Sequence, residues 1–475
     1  MRMLSLLACA ALVLPHPAGI ERPWTFLVYG AADNNADGPI LEFLDTVREA
    51  LDDEPGVELV LFVDRSPKYS DDAKSLGEDF SDARIYRLRK STAERIDPGS
   101  DMPELAGPGE HEVDSGNPEM LGKFVTFAKK RFPAKHTALM IYSHADGRGM
   151  CPDEQAGSEM RIPELRDRVD AAASVDFLGL ELCNMGGIEV AYEWRPGNGG
   201  FSANVLVAIP NAGPPLDWNR AFERVRSTGH ASPSKEKLLD PSTMTAADLG
   251  KLVIEEGKRG RELMLDGAPE RMKQHLIHEA AGCYDLAAAA DVKKAVDTFV
   301  VALAGKDEAA RDASKRAMLA VRDGSIDYSG GNLEYAPYFD LYKLCARAAA
   351  SEALSKEARD AAKRACEAVD RFVLASFGMK GLEGFEDGKS GVFIVFPDGD
   401  AQVKGMLGGT QKLWSRFRWY SPLDAKEKSD PYGRWAFLRD GATPGNGIVE
   451  NWYELLDAWF DPVPKGDGGT NGYRW

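Results

Sequence analysis

After its first twenty residues the chain has no apolar run near the ~18 residues that cross a bilayer as a helix, so no transmembrane helix is expected. No period of about twenty to fifty residues repeats, which excludes solenoid and propeller architectures. No strand leads into a GxxxxGK or GxGxxG loop, so neither a nucleoside triphosphate site nor a dinucleotide fold is indicated. Basic charge is in short supply: 58 Lys and Arg stand against 75 Asp and Glu, a formal charge of −17. That balance argues against nucleic acid or an anionic membrane as a partner. It suits the attraction of basic peptides, and solubility alone also accounts for it. Cysteine is sparse as well: Cys9, Cys151, Cys183, Cys283, Cys345 and Cys366 are widely and irregularly spaced, which fits neither a disulfide scaffold nor a zinc site. If Cys9 is lost with a leader, an odd number of thiols remains and at least one stays free. Cys345 and Cys366 fall in Ala-rich helical text and read as small buried hydrophobes.

What is present is ordinary globular text, 44% hydrophobic and 28% charged over 475 residues, enough for a large catalytic unit with appended segments. Arg2, the apolar run Met3 to Leu14 and then Pro15-His16-Pro17-Ala18 read as a secretory signal peptide over residues 1–19, implying a secreted or periplasmic protein. The alternative is a lipoprotein signal anchored through Cys9, preceded by Leu6-Leu7-Ala8.

Thr25 to Tyr29 and Glu58 to Val63 are apolar runs separated by the helical pattern Ile40 to Leu51, a βαβ unit that predicts a parallel pair at the sheet's centre. Arg84 to Leu88 predicts an edge strand, and the Pro/Gly/Asp-rich text from Glu94 to Pro118 a surface loop. Asn117 with Pro118 marks the start of a helix to Arg131. Two further buried strands are the most informative. Thr137 to Tyr142 runs into Ser143-His144-Ala145-Asp146-Gly147, and Val175 to Leu180 runs into Glu181-Leu182-Cys183-Asn184-Met185-Gly186-Gly187. Ligands sit at the carboxyl ends of parallel strands, so an imidazole past one strand and a thiol past its neighbour can meet at one rim. A free thiol has a pKa of about 8.5 and needs a base to become a nucleophile at neutral pH.

Strand-His-small residue, then strand-acid-x-Cys-x-Met-Gly and the helix Ile188-Glu-Val-Ala-Tyr192, resembles the clostripain family of cysteine peptidases, in the caspase-like group with legumain and gingipains. Trp24 to Asn35, Val205 to Ala208 and Trp218 are similar to other parts of that family. The resemblance implies an α/β, caspase-like sandwich with a mostly parallel central sheet flanked by helices, and a helical C-terminal half. It implies an endopeptidase in which Cys183 attacks the peptide carbonyl, His144 acts as acid and base, and the backbone N–H groups of Cys183 and Ala145 receive the oxyanion. Glu181, where the family usually has Asp, then selects a side chain, Arg or Lys by the family pattern; legumain-like enzymes, which carry Glu there, prefer Asn. Asp217 is either a second acidic wall of the pocket or simply a helix N-cap. The family also suggests self-cleavage at a basic residue between Gly147 and Pro163, with Arg148 and Arg161 as candidates in what otherwise reads as a plain loop. The chemistry requires no cofactor. The resemblance adds calcium, with Asp33 and Asp37 as candidate ligands, although these are also ordinary turn residues. Ala145 in place of the family's Gly, and a missing Ser-Glu stretch after Ala208, leave open a noncatalytic binding protein retaining the fold.

Residues 20–230 are therefore expected to form the catalytic core and 231–385 a helical region. Residues 386–475, with the strand Gly391 to Pro397, complete or pack on the core. A peptide or protein is the expected partner, and nothing speaks to oligomeric state.

Overall fold

A computed structural model describes residues 22–51, 56–227, 236–330, 333, 336–404, 410–414, 432–443 and 446–460. The leader at 1–19, Cys9 and the Gly/Asp-rich tail after Lys465 lie outside the described residues.

In chain order, β1 (Arg22–Ala32) is followed by α1 (Asp37–Leu51), β2 (Val57–Arg65), β3 (Ala83–Leu88) and β4 (Ala93–Arg95). Then come α2 (Pro118–Arg131), β5 (Ala134–Tyr142), the short pair β6 (Gly149–Asp153) and β7 (Ser158–Arg161), α3 (Ile162–Arg168), β8 (Val175–Glu181), α4 (Ile188–Glu193), β9 (Ala203–Ala208) and α5 (Trp218–Arg224). The second half holds α6 (Ala246–Gly267), α7 (Glu270–Leu276), β10 (Ala280–Asp285), α8 (Ala289–Ala304), α9 (Glu308–Asp323), β11 (Tyr338–Asp340), α10 (Leu341–Ala350), α11 (Lys356–Phe372), β12 (Val373–Gly378) and β13 (Phe393–Val395).

One nine-stranded sheet runs in the order β12-β10-β9-β8-β5-β1-β2-β3-β4. From β9 to β2 every pair is parallel, while β12, β10, β3 and β4 are antiparallel to their neighbours. Side chains alternate across this sheet: Leu27, Tyr29 and Ala31 of β1 enter one core layer and Trp24, Phe26 and Val28 the other. Helices cover both faces, which is why the inner strands read as unbroken apolar runs. Asn117 caps α2, its Oδ1 accepting from the Glu119 N–H at 3.1 Å with Pro118 at the first position.

Four expectations change. The β1–β2 pair is parallel but sits to one side of centre, and β3 is not the edge, because Ala93–Arg95 of the supposed loop pairs outside it. Met102 and Leu105 of the same stretch are buried. Finally, the boundary at 230/231 does not divide the sheet: β10 and β12 lie in the region read as helical, and β10 hydrogen-bonds directly to β9.

Candidate active site

β5 and β8 are neighbours in parallel register, with Tyr142 opposite Glu181. Each strand then ends, and the second residue beyond that register pair is His144 on one and Cys183 on the other. Adjacent strands are ~4.8 Å apart, so equivalent positions past two paired ends occupy the same rim. The loops that follow also touch. A Cβ on Gly147, whose φ is +86°, would stand 3.0 Å from the carbonyl oxygen of Asn184, so glycine there permits both the backbone turn and the close approach.

Both loops are clamped. Ser143 Oγ donates to the Ala31 carbonyl at 2.6 Å, and the Cys151 N–H donates to the His144 carbonyl at 3.0 Å. Asn184 takes a left-handed φ of 60°, which asparagine tolerates, and its N–H donates to the Asn211 carbonyl at 3.0 Å. The Met185 and Gly186 N–H groups both donate to the Ile209 carbonyl at 2.9 Å, while the Cys183 N–H makes no backbone hydrogen bond among the described residues. Ala145 is not among the described non-glycine residues with positive φ, so its methyl group imposes no backbone strain where the family has glycine.

His144 is exposed, and its Nε2 lies 2.6 Å from Asn35 Oδ1. With an amide oxygen as acceptor, Nε2 carries the proton and Nδ1 is left as the base. The Cys183 sulfur lies 4.0 Å from the Gly213 carbonyl. Burial pushes the thiol up, and the charges of Glu279 and Glu181 add to it. Desolvation by the surrounding rim pushes the imidazole down. Both shifts favour the uncharged forms, thiol and neutral imidazole.

Glu181 is buried, with both oxygens engaged: one accepts from the Leu216 N–H at 2.7 Å, the other from the Trp218 indole N–H. Burial raises its carboxyl to about 7. It thus holds the 211–217 segment against the nucleophile strand. Asp217 caps α5, accepting from the Arg220 N–H at 3.5 Å, and packs on Gly260 of α6. The sequence missed Glu279, which lies against Gly213, pairs with Arg261 and is raised by burial to about 7. Arg261 in turn donates to the Pro214 carbonyl. The sequence also missed Asn35 as a partner of His144. Tyr338, whose hydroxyl donates to the Asp146 carbonyl at 2.6 Å and whose ring stacks on Phe393 at 4.2 Å, braces the histidine loop from the C-terminal half.

The stretch holding Arg148 and Arg161 is not a plain loop. It is the β6–β7 hairpin, with Gly149 paired to Arg161 and the Ile162 N–H donating to the Arg148 carbonyl at 3.2 Å. Both arginines sit at the hairpin base, so a cut after either would require its pairing to open. Asp37 is corrected as a calcium ligand: its two oxygens are held by Arg65 Nε at 2.8 Å and Nη2 at 3.3 Å, both residues buried. Asp33 instead accepts from the Gln155 N–H at 2.7 Å and lies beside Glu112 and Asp153.

A caspase-like sheet with a cysteine and a histidine past neighbouring strand ends defines a cysteine-type endopeptidase. The sequence model of the clostripain family matches residues 28–452. Clostripain from Hathewaya histolytica is 34% identical over 487 aligned positions, covering 95% of this chain and 89% of that protein. Among solved structures, a secreted cysteine protease from Bacteroides thetaiotaomicron bound to an irreversible peptide inhibitor superposes with a TM-score of 0.51 at 15% identity, covering 78% of this chain and 92% of that one. Another secreted cysteine protease structure from the same organism gives 0.50 at 10% identity, covering 79% and 93%. The chain belongs to the clostripain family.

Proposed function

We propose that the protein is an exported endopeptidase that cleaves after Arg or Lys through Cys183 and His144. The observation that carries this reading is the shared rim, where two register-matched strand ends present thiol and imidazole and Asn35 fixes the ring's tautomer. Cys183 Sγ bonds to the scissile carbonyl carbon as its proton passes to His144 Nδ1, and the oxyanion is received by the N–H groups of Cys183 and Ala145. His144 returns the proton to the leaving amine, then takes one from water as it attacks the thioester. The leader-like text at 1–19 supports export, as does the description of fold relatives as secreted.

Selection of a basic side chain rests on Glu181 and Glu279, whose charges reach the thiol, with Asp217 backing the same segment. Since Glu181 ionises near 7, preference for Arg should strengthen as pH rises from 6 to 8. Glu181→Gln should lower the ratio of kcat/KM for Arg over Asn substrates by about tenfold or more and flatten that pH dependence. Taking a ratio within one variant cancels general damage from the lost Leu216 contact. An unchanged ratio in both Glu181→Gln and Glu279→Gln removes these acids from specificity.

Asn35 acts through His144. Asn35→Ala should cost about 10- to 100-fold in kcat with little change in KM. Asn35→Asp puts a carboxylate on the Nε2 proton, stabilises the imidazolium and should move the acid limb of the pH profile upward by ~1 unit. A purely structural role would leave that limb in place.

A further inference from the structure

α10 and α11 form a helical hairpin, joined by residues 351–355 and packed on each other in the C-terminal half. Much of the buried face of α11 is alanine, at Ala358, Ala361, Ala362, Ala365 and Ala368. Such short side chains let two helix axes come together at the near end of the usual ~8–10 Å. Across this close seam stand Cys345 of α10, which is 1% exposed, and Cys366 of α11, which is partly buried against the same core layer. The two thiols lie within hydrogen-bonding reach of each other, and Cys366 Sγ also donates to the Tyr342 carbonyl at 3.5 Å. The second contact fixes where the Cys366 sulfur is. Side chains on a helix lean toward its N-terminus, so the Cys345 thiol lies over the turn that begins at Tyr342, beside that sulfur. Cys283, by contrast, belongs to the core layer on the other side of the sheet.

We propose that Cys345 and Cys366 are joined by a disulfide in the mature protein, an inference that rests on the export reading above, since such bonds persist outside the reducing cytosol. The oxidant is a disulfide-bearing exchange partner, either a dithiol oxidase in its oxidised form or oxidised glutathione. The thiolate of Cys366, the more accessible of the two, attacks one sulfur of that disulfide and expels the other. The Cys345 thiolate then attacks Cys366 Sγ, forms the intramolecular S–S bond and expels the oxidant's second sulfur. The chain gives up two electrons and two protons, and the oxidant leaves with them as two thiols. The Cys366 contact and burial hold the Cys345 thiol well above its ordinary value, so the second step belongs to folding, before the hairpin closes over it. The same burial then shields the finished bond from reductants.

The bond closes a loop of about twenty residues and ties together two elements that brace the site. α10 starts just after Tyr338, whose hydroxyl holds the Asp146 carbonyl of the histidine loop, and is capped by Asp340. α11 runs without a break into β12, at one end of the sheet. The staple therefore restrains local opening between the histidine brace and the sheet, in a protein exposed to its own cleavage activity.

The test uses the full chain with Cys183→Ala, so that neither self-digestion nor oxidation of the nucleophile intervenes. The chain is produced with its leader in an export-competent host, blocked with iodoacetamide in denaturant without reductant, and mapped by peptide mass spectrometry. A peptide pair linked through Cys345 and Cys366, two hydrogens lighter than the separate peptides, is expected, with Cys151 and Cys283 alkylated. The oxidised chain should melt a few degrees above the same chain treated with a phosphine reductant, whereas Cys345→Ala and Cys366→Ala should each melt alike with and without it. An exported chain in which both cysteines are alkylated, or in which either is linked elsewhere, overturns the pairing, as does a reductant effect of equal size in the two variants. Export is scored separately, by where the chain is recovered. A chain retained in the cytoplasm whose pair closes on adding oxidised glutathione supports the pairing and counts against export; one whose pair stays open in oxidised glutathione overturns the pairing.

Discussion

Replacing Cys183 with alanine is expected to lower kcat by at least ~10,000-fold while leaving the melting temperature within about 2 °C of the parent. The side chain is only partly buried and, among the described residues, its hydrogen-bond contact is the long one to Gly213, so little packing is lost. His144→Ala should approach the same loss, and the double variant should be no worse than the worse single one, because base and nucleophile act as a unit. The pH dependence distinguishes how they act. With the imidazole pushed below its usual 6.5 by desolvation at the rim, the neutral base persists to more acidic pH, so the acid limb of kcat/KM should lie below 6.5. With the thiol pushed above its ordinary value, alkylation of the substrate-free protein by iodoacetamide should keep climbing past pH 9. A preformed thiolate–imidazolium pair would give a low-pH plateau in that rate. Such a plateau, or an acid limb above 7, would contradict the neutral resting pair.

The rim itself was legible because its strands are long apolar runs that stop abruptly at small and polar residues, and because parallel register makes matching ends neighbours. Asn35 was not legible as a partner of His144. The contact spans 109 residues of sequence and exists only because β1 and β5 pair, after which any of several turn residues has the right chemistry. Glu279 was hidden for a related reason. It sits at the entry to Ala280–Asp285, whose Ala-Ala-Gly-Cys start has little intrinsic strand preference and becomes a strand by pairing with β9. β12 follows α11 without a Gly or Pro between Phe372 and Val373, so the helical pattern appeared to continue. Asp37 and Asp33 read alike in sequence. Only the fold sends one to Arg65 and the other to Glu112 and Asp153.

Gly186→Ala should damage the site through a single added methyl group. The residue has ordinary negative φ, so backbone strain is not the issue; space is. A Cβ there would stand 2.8 Å from Pro210 N, 2.9 Å from Pro210 Cα and 2.9 Å from the Tyr284 hydroxyl. None of these can yield easily. Pro210 follows Ile209, whose carbonyl already accepts from Met185 and Gly186, and buried Tyr284 donates to the Gly391 carbonyl at 2.5 Å. The nucleophile loop must therefore retreat, while Gly186 is also held from its other side by the Phe393 N–H at 2.9 Å. Overpacking of this kind costs about 1–3 kcal/mol of stability. The effect on rate should be larger in proportion, because a shift of ~1 Å at Cys183 is worth about 100-fold in kcat. Gly109→Ala, where an added Cβ meets nothing within 4 Å, supplies the control. Kinetics on an Arg substrate together with thermal melts would decide it. A Gly186→Ala chain that melts a few degrees lower yet keeps full kcat would mean that the clamp between the 183–187 and 209–213 segments does not set the position of the thiol.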